Sequence, residues 1–425
     1  MLSFLKNVGP NPVLYFYQLM KQYGGVVKCR SLPDIYLVSC PVVARQVLAA
    51  PPHHFDKADL ISTRMKKLMG EGLVVSNGKK WKRQRRTAQL VLGGARLQQL
   101  EPRIEQLVDE LIAEWKGAAG TGRVVNASSD LRQLVLRIMA GSLLCLQDEK
   151  TLCRLEKSLQ EGKKYVSRPR PFSLPAWLPM TAKARLHSAL KDMDRILLGL
   201  MQERTRTGTG EGVLLAQVMD QPGEDGQLLH TQEALAEIKN LFASSYFSLS
   251  DLLAWLTCCL ARYPEWADRI ADENNAGTGG WLATPPDRAK FIHEVLRCYP
   301  PGWAVTRRTL VPLQTDACTI PRHATVLISI YNLHHHPGCW DEPEKFNPQR
   351  FDQIKDLPGN ALFMPFGLGP RKCAGLALSR MAISMVCAKL ATHFRLTVHG
   401  PVIPTIRSGI SLGTSKDLEI RIEHR

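Results

Sequence analysis

The sequence predicts a mostly α protein with a smaller β region, and three observations carry that expectation. Helical patterning dominates from about Trp81 to His293. One helical segment of ~30 residues, from Thr231 to about Arg262, is apolar around most of its middle (LFASSYFSLSDLLAWLTCCL). Strand-like segments gather on either side of the helical stretch and do not alternate with it.

The elements follow in order. VVKCR and IYLVS read as strands near the start. RTGTGEG (Arg206 to Gly212), QPGEDGQ (Gln221 to Gln227) and NNAGTGG read as loops. Thr231 is a plausible N-cap for the long segment, with Glu233 in its first turn, and Pro264 follows its end. At 1.5 Å per residue this helix is roughly 45 Å long, enough to cross a domain, so a buried central helix is expected. Strand-like and Pro-rich segments return between Pro300 and Pro348, and one more helix follows Cys373. No internal repeat or long low-complexity segment interrupts this order.

Composition excludes several classes. No stretch approaches the ~20 apolar residues of a membrane-spanning helix. The opening segment meets Lys6, Asn7 and Pro10 before any apolar run suits a signal peptide. A soluble, cytoplasmic protein without a membrane anchor is expected. The 11 cysteines form no CxxC pairs, so most read as small buried hydrophobes in a reducing compartment. A formal charge of +16, with a run at Lys79, Lys80, Lys82, Arg83, Arg85 and Arg86, suits either an anionic partner or a solvated helix face. No nucleic-acid module accompanies the charge, so nucleic acid is not the expected partner.

One segment carries chemistry. In FMPFGLGPRKCAGLALSR, residues Phe366, Gly367, Gly369, Pro370, Arg371, Cys373 and Gly375 form a tight loop that delivers Cys373 just before a helix starting near Ala374. Two glycines and a proline permit a sharp turn with amides pointing inward. Those amides and the positive helix end stabilise a thiolate and are expected to lower the cysteine pKa. Arg371 is placed for a bidentate contact with a carboxylate. A haem offers both an iron wanting a fifth ligand and propionates wanting cations.

FGLGPRKCAG resembles the haem-binding loop of the cytochrome P450 family, FxxGxRxCxG, at every fixed position. Three further motifs agree in order and spacing, so the resemblance covers nearly all of the chain. Glu294 and Arg297 in FIHEVLRCYPP match ExxR, and Arg350 in FNPQRF matches the arginine that joins them. The resemblance makes this trio a structural lock behind the cysteine loop. Trp81 and Arg85 in GKKWKRQRR match WxxxR, whose side chains reach a haem propionate. By spacing in PPGWAVTRRTLVPL, Arg307 matches another propionate-binding arginine, with Arg308 as the competing choice, and Val305 and Thr306 lie near the substrate. His334, His335 and His336 are adjacent in sequence and therefore do not suggest a metal site.

The resemblance implies the cytochrome P450 fold in a single domain over 1–425. Its β-rich part would lie near 24–50 and 300–330, its helical body at 80–298 and its haem-thiolate loop at 363–375. It implies haem b with Cys373 as axial thiolate and metal ligand, and Phe366, Gly367, Arg371 and Gly375 around the cofactor. It also implies a small hydrophobic substrate, and an acidic ferredoxin or flavodoxin as a separate electron donor meeting the basic run. A bacterial biosynthetic role in secondary metabolism follows by analogy. Loops near His53 to Lys57 and Pro169 to Pro179 would shape the pocket.

The chain departs from the family in its central helix, where (A/G)Gx(D/E)T(T/S) is replaced by LFASSYFSLSD. Counted forward from Phe242 and Ala243, Tyr246 takes the acid's place and Phe247 the threonine's. Counted back from Arg262 and Pro264, Phe247 replaces the acid and Ser248 the threonine. A π-bulge would absorb one residue of mismatch. In both registers the carboxylate at that position is gone, so proton delivery falls to Ser248, to water or to the substrate, with Ser244 one turn behind Ser248. Ala243 and Ser244 are expected to border the pocket. Three readings follow: a monooxygenase; a haem-thiolate enzyme that takes no oxygen from dioxygen (a peroxygenase, isomerase, dehydratase or oxidative coupling catalyst); or a non-catalytic sensor.

Overall fold

The computed structural model describes residues 11–31, 33–167, 181–207, 214–220, 231–277, 281, 284–354, 362–400 and 404–425. In chain order it opens with helix α1 (Pro12–Tyr23), strands β1 (Val26–Ser31) and β2 (Asp34–Val38), helix α2 (Pro41–Ala49) and strand β3 (Phe55–Asp56). Helices α3 (Asp59–Met69), α4 (Gly78–Val91) and α5 (Gly94–Ala119) follow, then the short strand β4 (Val124–Asn126). The helical body continues with α6 (Ala127–Leu144), α7 (Glu149–Ser167), α8 (Ala182–Thr207), α9 (Leu214–Met219), α10 (Thr231–Arg262), α11 (Pro264–Asn275) and α12 (Pro286–Cys298). Strands β5 (Ala304–Thr309), β6 (Leu313–Gln314), β7 (Thr319–Ile320) and β8 (Thr325–Ser329) lead into the short helix α13 (Ile330–His334). After the cysteine loop come helix α14 (Leu376–His393) and strands β9 (Phe394–Val398), β10 (Ile406–Ser408), β11 (Leu412–Thr414) and β12 (Glu419–His424).

Helix α10 is the expected central element. It runs 32 residues and buries most of both flanks from Ala234 to Leu260. It packs against α6, α14, α11 and α12 within the main apolar core. Pro264 fixes its end, since proline serves well at the first position of α11 and poorly inside α10.

The main sheet has the order β1-β2-β8-β5-β3. The β2–β8 pair is parallel, with Ile35 opposite Thr325 and Val38 opposite Ile328, and the other pairs are antiparallel. Pairing of β5 with β8 sets Thr306 opposite Leu327 and Arg307 opposite Val326. This fixes which side of the strand Arg307 enters.

Two expectations need correction. The 24–50 stretch is only partly β: residues 41–49 form α2, whose buried Val43, Ala44, Val47 and Leu48 follow a helical period. The β region also extends to the C-terminus. There β12 pairs with both β9 and β4, and β10 pairs with β11. The alternation in EIRIEH, with Ile420 and Ile422 fully buried, is the signal for β12 that sequence reasoning passed over. The Gln221 to Gln227 and Pro169 to Pro179 loops lie outside the described residues. Of the Arg206 to Gly212 segment, Arg206 and Thr207 still belong to α8. No helix among the described residues is long and apolar enough to cross a membrane.

Candidate active site

The cysteine loop is built by its own backbone. The Gly367 N–H donates to Met364 O (2.9 Å), Lys372 N–H to Gly369 O (3.1 Å) and Cys373 N–H to Phe366 O (2.8 Å). Gly367 and Gly369 both adopt φ above +70°, where a side chain would be strained. Gly375 caps α14, which starts at Leu376, two residues later than the sequence suggested.

Cys373 has accessible surface, yet surrounding protein desolvates its thiol. Burial pushes the thiol pKa up, against the pull of the Gly375 amide and Arg85. This corrects the expectation of a lowered value: the Gly375 amide acts in the expected direction, but desolvation is the larger effect.

Four cations converge beside the loop. Arg371 stacks over the Trp81 ring, 4.3 Å from its centroid, and donates to Ser76 O (3.0 Å) and Asn77 Oδ1 (2.9 Å). Asn77 Oδ1 also accepts the Lys57 backbone N–H (2.9 Å), which ties β3 to the same point. Arg85 donates through Nη1 to Lys372 O, while its buried Nε has no hydrogen-bond partner. Arg307 is 4% exposed and Trp81 6%, so both are interior.

The cations strain one another electrostatically. Burial and the neighbouring Arg371 push Arg307 down to about 10, and burial pushes Arg371 to about 10 with Asp56 opposing. Burial together with Arg307 and Arg371 holds Lys57 well below the usual lysine range. Lys57 belongs to this cluster although no motif pointed to it. Arg308 turns instead to His323 (3.4 Å), so of the two candidate arginines Arg307 is the one in the cluster.

Behind the loop, the Glu294–Arg297–Arg350 trio is buried and fully bonded. Arg297 grips both Glu294 oxygens (2.7 and 2.8 Å), and Arg350 Nε reaches Glu294 Oε1 (3.1 Å). The remaining donors collect backbone carbonyls of His334, Pro343, Lys345 and Asp341. His334 carries this order to the cysteine loop. Its Nε2 accepts the Met364 N–H (3.0 Å), its Nδ1 lies 3.3 Å from Arg297 O, and its ring stacks on Phe363. His335 bonds to Tyr331 O (2.9 Å). Two of the three adjacent histidines are thus spent on scaffold contacts.

On α10, Ser244, Ser245 and Ser248 are the half-buried positions in an otherwise buried stretch. Tyr246 lies about 200° round the helix from both Ser244 and Ser248 at ~100° per residue. Its hydroxyl accepts from Gln160 Nε2 (2.8 Å) and donates to Glu156 Oε1 (3.2 Å), both on α7. Phe247 is fully buried, with the Lys163 ammonium 5.9 Å from its ring. Neither aromatic side chain therefore presents a titrating group beside Ser248, and Ser248 itself makes no side-chain hydrogen bond among the described residues. Ser244 Oγ donates back to Leu241 O (3.3 Å). Ala243 and Thr306 are buried, and Val305 is half-buried on β5.

Sequence reasoning passed over Asp251. Both of its oxygens lie 2.8 Å from Lys163 Nζ of α7, and Ser411 Oγ donates to Oδ2. It is the one carboxylate of α10 after Glu237.

The basic run is also sorted. Arg85 turns inward, Lys80 and Arg83 pair with Glu233, and Lys80 also pairs with Glu71. Lys79, Lys82 and Arg86 remain on the exposed face of α4 without ion pairs among the described residues.

Comparison with known proteins gives the family. The family profile described as Cytochrome P450 matches residues 1–418, and the chain belongs to that family. It is 28% identical over 397 residues to cyclooctat-9-en-7-ol 5-monooxygenase of Streptomyces melanosporofaciens, covering 90% of this chain and 85% of that one. It is 28% identical over 399 residues to pentalenene oxygenase of Streptomyces avermitilis, covering 91% and 87%. Among solved structures, the cytochrome P450DA heme domain superposes with a TM-score of 0.85 at 19% identity, covering 98% of this chain and 94% of that one. Retinoic acid bound cyanobacterial CYP120A1 gives 0.82 at 20%, covering 96% and 93%.

The protein is thus a haem-thiolate oxidoreductase of the monooxygenase type, and its cofactor is haem held by a cysteine thiolate. The residues fit that cofactor. A thiol with accessible surface and four neighbouring basic side chains, three of them coupled by like charge and the fourth, Arg85, with an unpartnered buried Nε, match a ligand-seeking iron with two carboxylates at its edge.

Proposed function

We propose that this chain, acting as one domain, is a cytoplasmic monooxygenase. It would oxidise a small hydrophobic molecule, a natural-product intermediate, using electrons from a separate acidic ferredoxin or flavodoxin. The observation that carries the reading is the convergence of Lys57, Arg85, Arg307 and Arg371 beside Cys373. Cys373 would ligate the iron, and these four cations with Trp81 would hold the propionate edge. When bound, haem supplies dioxygen activation at iron, with electron density donated by the thiolate.

The chain's own residues do the rest. Phe366, Gly367 and Gly375 shape the thiolate loop. Ala243, Ser244, Val305 and Thr306 border the substrate, and Ser248 offers a hydroxyl for holding water and passing protons. The exposed Lys79, Lys82 and Arg86 face the acidic donor. The two relatives' names give an unsaturated hydrocarbon and an unsaturated alcohol, which supports an apolar cyclic substrate here.

The test is turnover of a panel of cyclic alkenes under three conditions: electrons with ¹⁸O-labelled dioxygen, peroxide alone, and neither. Label in the product is expected. Product without label, or only with peroxide, supports the second reading, which the burial of both Tyr246 and Phe247, one of which takes the acid's place in either register, favours: a haem-thiolate enzyme that takes no oxygen from dioxygen. Cys373→Ala is expected to lose the spectral signature of thiolate-bound haem, and retention of that signature would remove Cys373 as the ligand.

A further inference from the structure

We propose that Asp251 does the work of the missing acid: held by Lys163 and Ser411, it feeds protons to Ser248. The inference rests on the monooxygenase reading above. Asp251 stands one turn after Phe247 on the same face of α10, so in the register that sets Phe247 at the acid's place the carboxylate is displaced along the helix and not lost. It is three residues from Ser248, a spacing at which side chains on a helix are neighbours.

Its setting looks built. Asp251 and Lys163 are each only 13% exposed, and the ammonium spans both carboxylate oxygens. Ser411 donates to Asp251 and to Phe247 O (3.3 Å), so the turn between β10 and β11 closes over the same spot. Gly413 follows in β11, where a Cβ would lie 2.8 Å from Asp251 Oδ1, so the hairpin backbone rests directly on the carboxylate. An acid in the middle of an apolar helix is costly unless paired, and this one is paired with Lys163, with the unbonded Ser248 three residues back along the helix. Lys163 and Ser411 are positioning residues, since each acts through Asp251.

The proton count is simple. Reduction of one oxygen atom of dioxygen to water takes two electrons, from the donor protein, and two protons. Each proton given up by Ser248 Oγ is replaced by one from the Asp251 carboxyl, and the carboxylate recovers its own from solvent at the partly exposed pair.

The experiment compares Asp251→Asn, Asp251→Glu and Lys163→Met in the full haem-loaded chain. Four quantities are read: dioxygen-driven turnover, its solvent isotope effect, substrate affinity by spectral titration, and amide exchange in α7. Asp251→Asn is expected to slow turnover about a hundredfold and raise the isotope effect. Its substrate affinity should stay within about twofold, and Asp251→Glu should restore most of the rate. Lys163→Met should loosen α7 as much as Asp251→Asn does and, by releasing a carboxylate that is still present, slow turnover less than Asp251→Asn does, with a smaller rise in the isotope effect. If both variants slow turnover equally and neither moves the isotope effect, Asp251 is only a clamp between α7 and α10 and the proposal falls. If the unaltered chain incorporates no label from dioxygen, the monooxygenase reading fails first. If it does, and Asp251→Asn turns over normally, this proposal fails alone.

Discussion

At the scale of single residues, the site depends on charges that repel one another. Lys57, Arg307 and Arg371 are each held below their usual range by burial, with like charge adding to the effect on Lys57 and Arg307. Removing one should therefore help the haem-free chain and harm the loaded one. Lys57→Met is expected to raise the melting temperature of the apoprotein. It should also speed haem loss to a scavenger protein by about ten- to hundredfold, the equivalent of one charge-assisted contact of ~1.5–3 kcal/mol. A variant that loses apoprotein stability and keeps its haem would show that Lys57 is not part of the propionate edge. Most of this site was legible from motifs, because FxxGxRxCxG, WxxxR and ExxR each fix residues at short range. Lys57 and Asp251 were not, because their partners lie far along the chain: Arg307 and Arg371 for one, Lys163 and Ser411 for the other.

At the scale of elements, the buried trio joins α12 to the 341–350 segment and, through His334, to the cysteine loop. Glu294→Ala leaves two guanidinium groups buried without their carboxylate. It should cost about 3–5 kcal/mol, read as a fall in the denaturant midpoint. Glu294→Gln keeps one acceptor and should cost less. Periodicity made α10 readable to within a residue or two, because 32 residues of one pattern average out local noise. Of the C-terminal strands, β10 and β11 escaped because three residues are too short for alternation to show, whereas the alternation of β12 was present and passed over.

Over the whole molecule, two buried histidines and the half-buried His293 set an acid limit. Burial, with Arg380 nearby, pushes His293 down to about 4, and burial with Arg297 nearby pushes His335 to about 3. His334 is also held well below its usual range, mainly by burial. The unfolded chain binds protons near pH 6.5 that the folded chain refuses. The stability these histidines contribute is complete above that pH and falls as pH drops below it. The slope should approach about 4 kcal/mol per pH unit with all three engaged, at ~1.4 kcal/mol each. Chemical denaturation between pH 7 and 5 measures it, and a flat profile would contradict the buried neutral rings. The exposed cations of α4 and the net charge of +16 add a second global prediction. Association with an acidic electron donor should slow several-fold as ionic strength rises from low to physiological salt, measured by stopped-flow.

The parallel pairing of β2 with β8 has a consequence during synthesis. Ile35 meets Thr325 in that ladder, 290 residues later in the chain. At about 5–20 residues per second, β2 leaves the ribosome roughly 15–60 s before its partner exists. For that interval the nascent chain displays a strand carrying Ile35, Leu37 and Val38 with one edge unpaired. Efficient expression should therefore depend on something that shields this edge, and chaperone depletion should send nascent chains into aggregates.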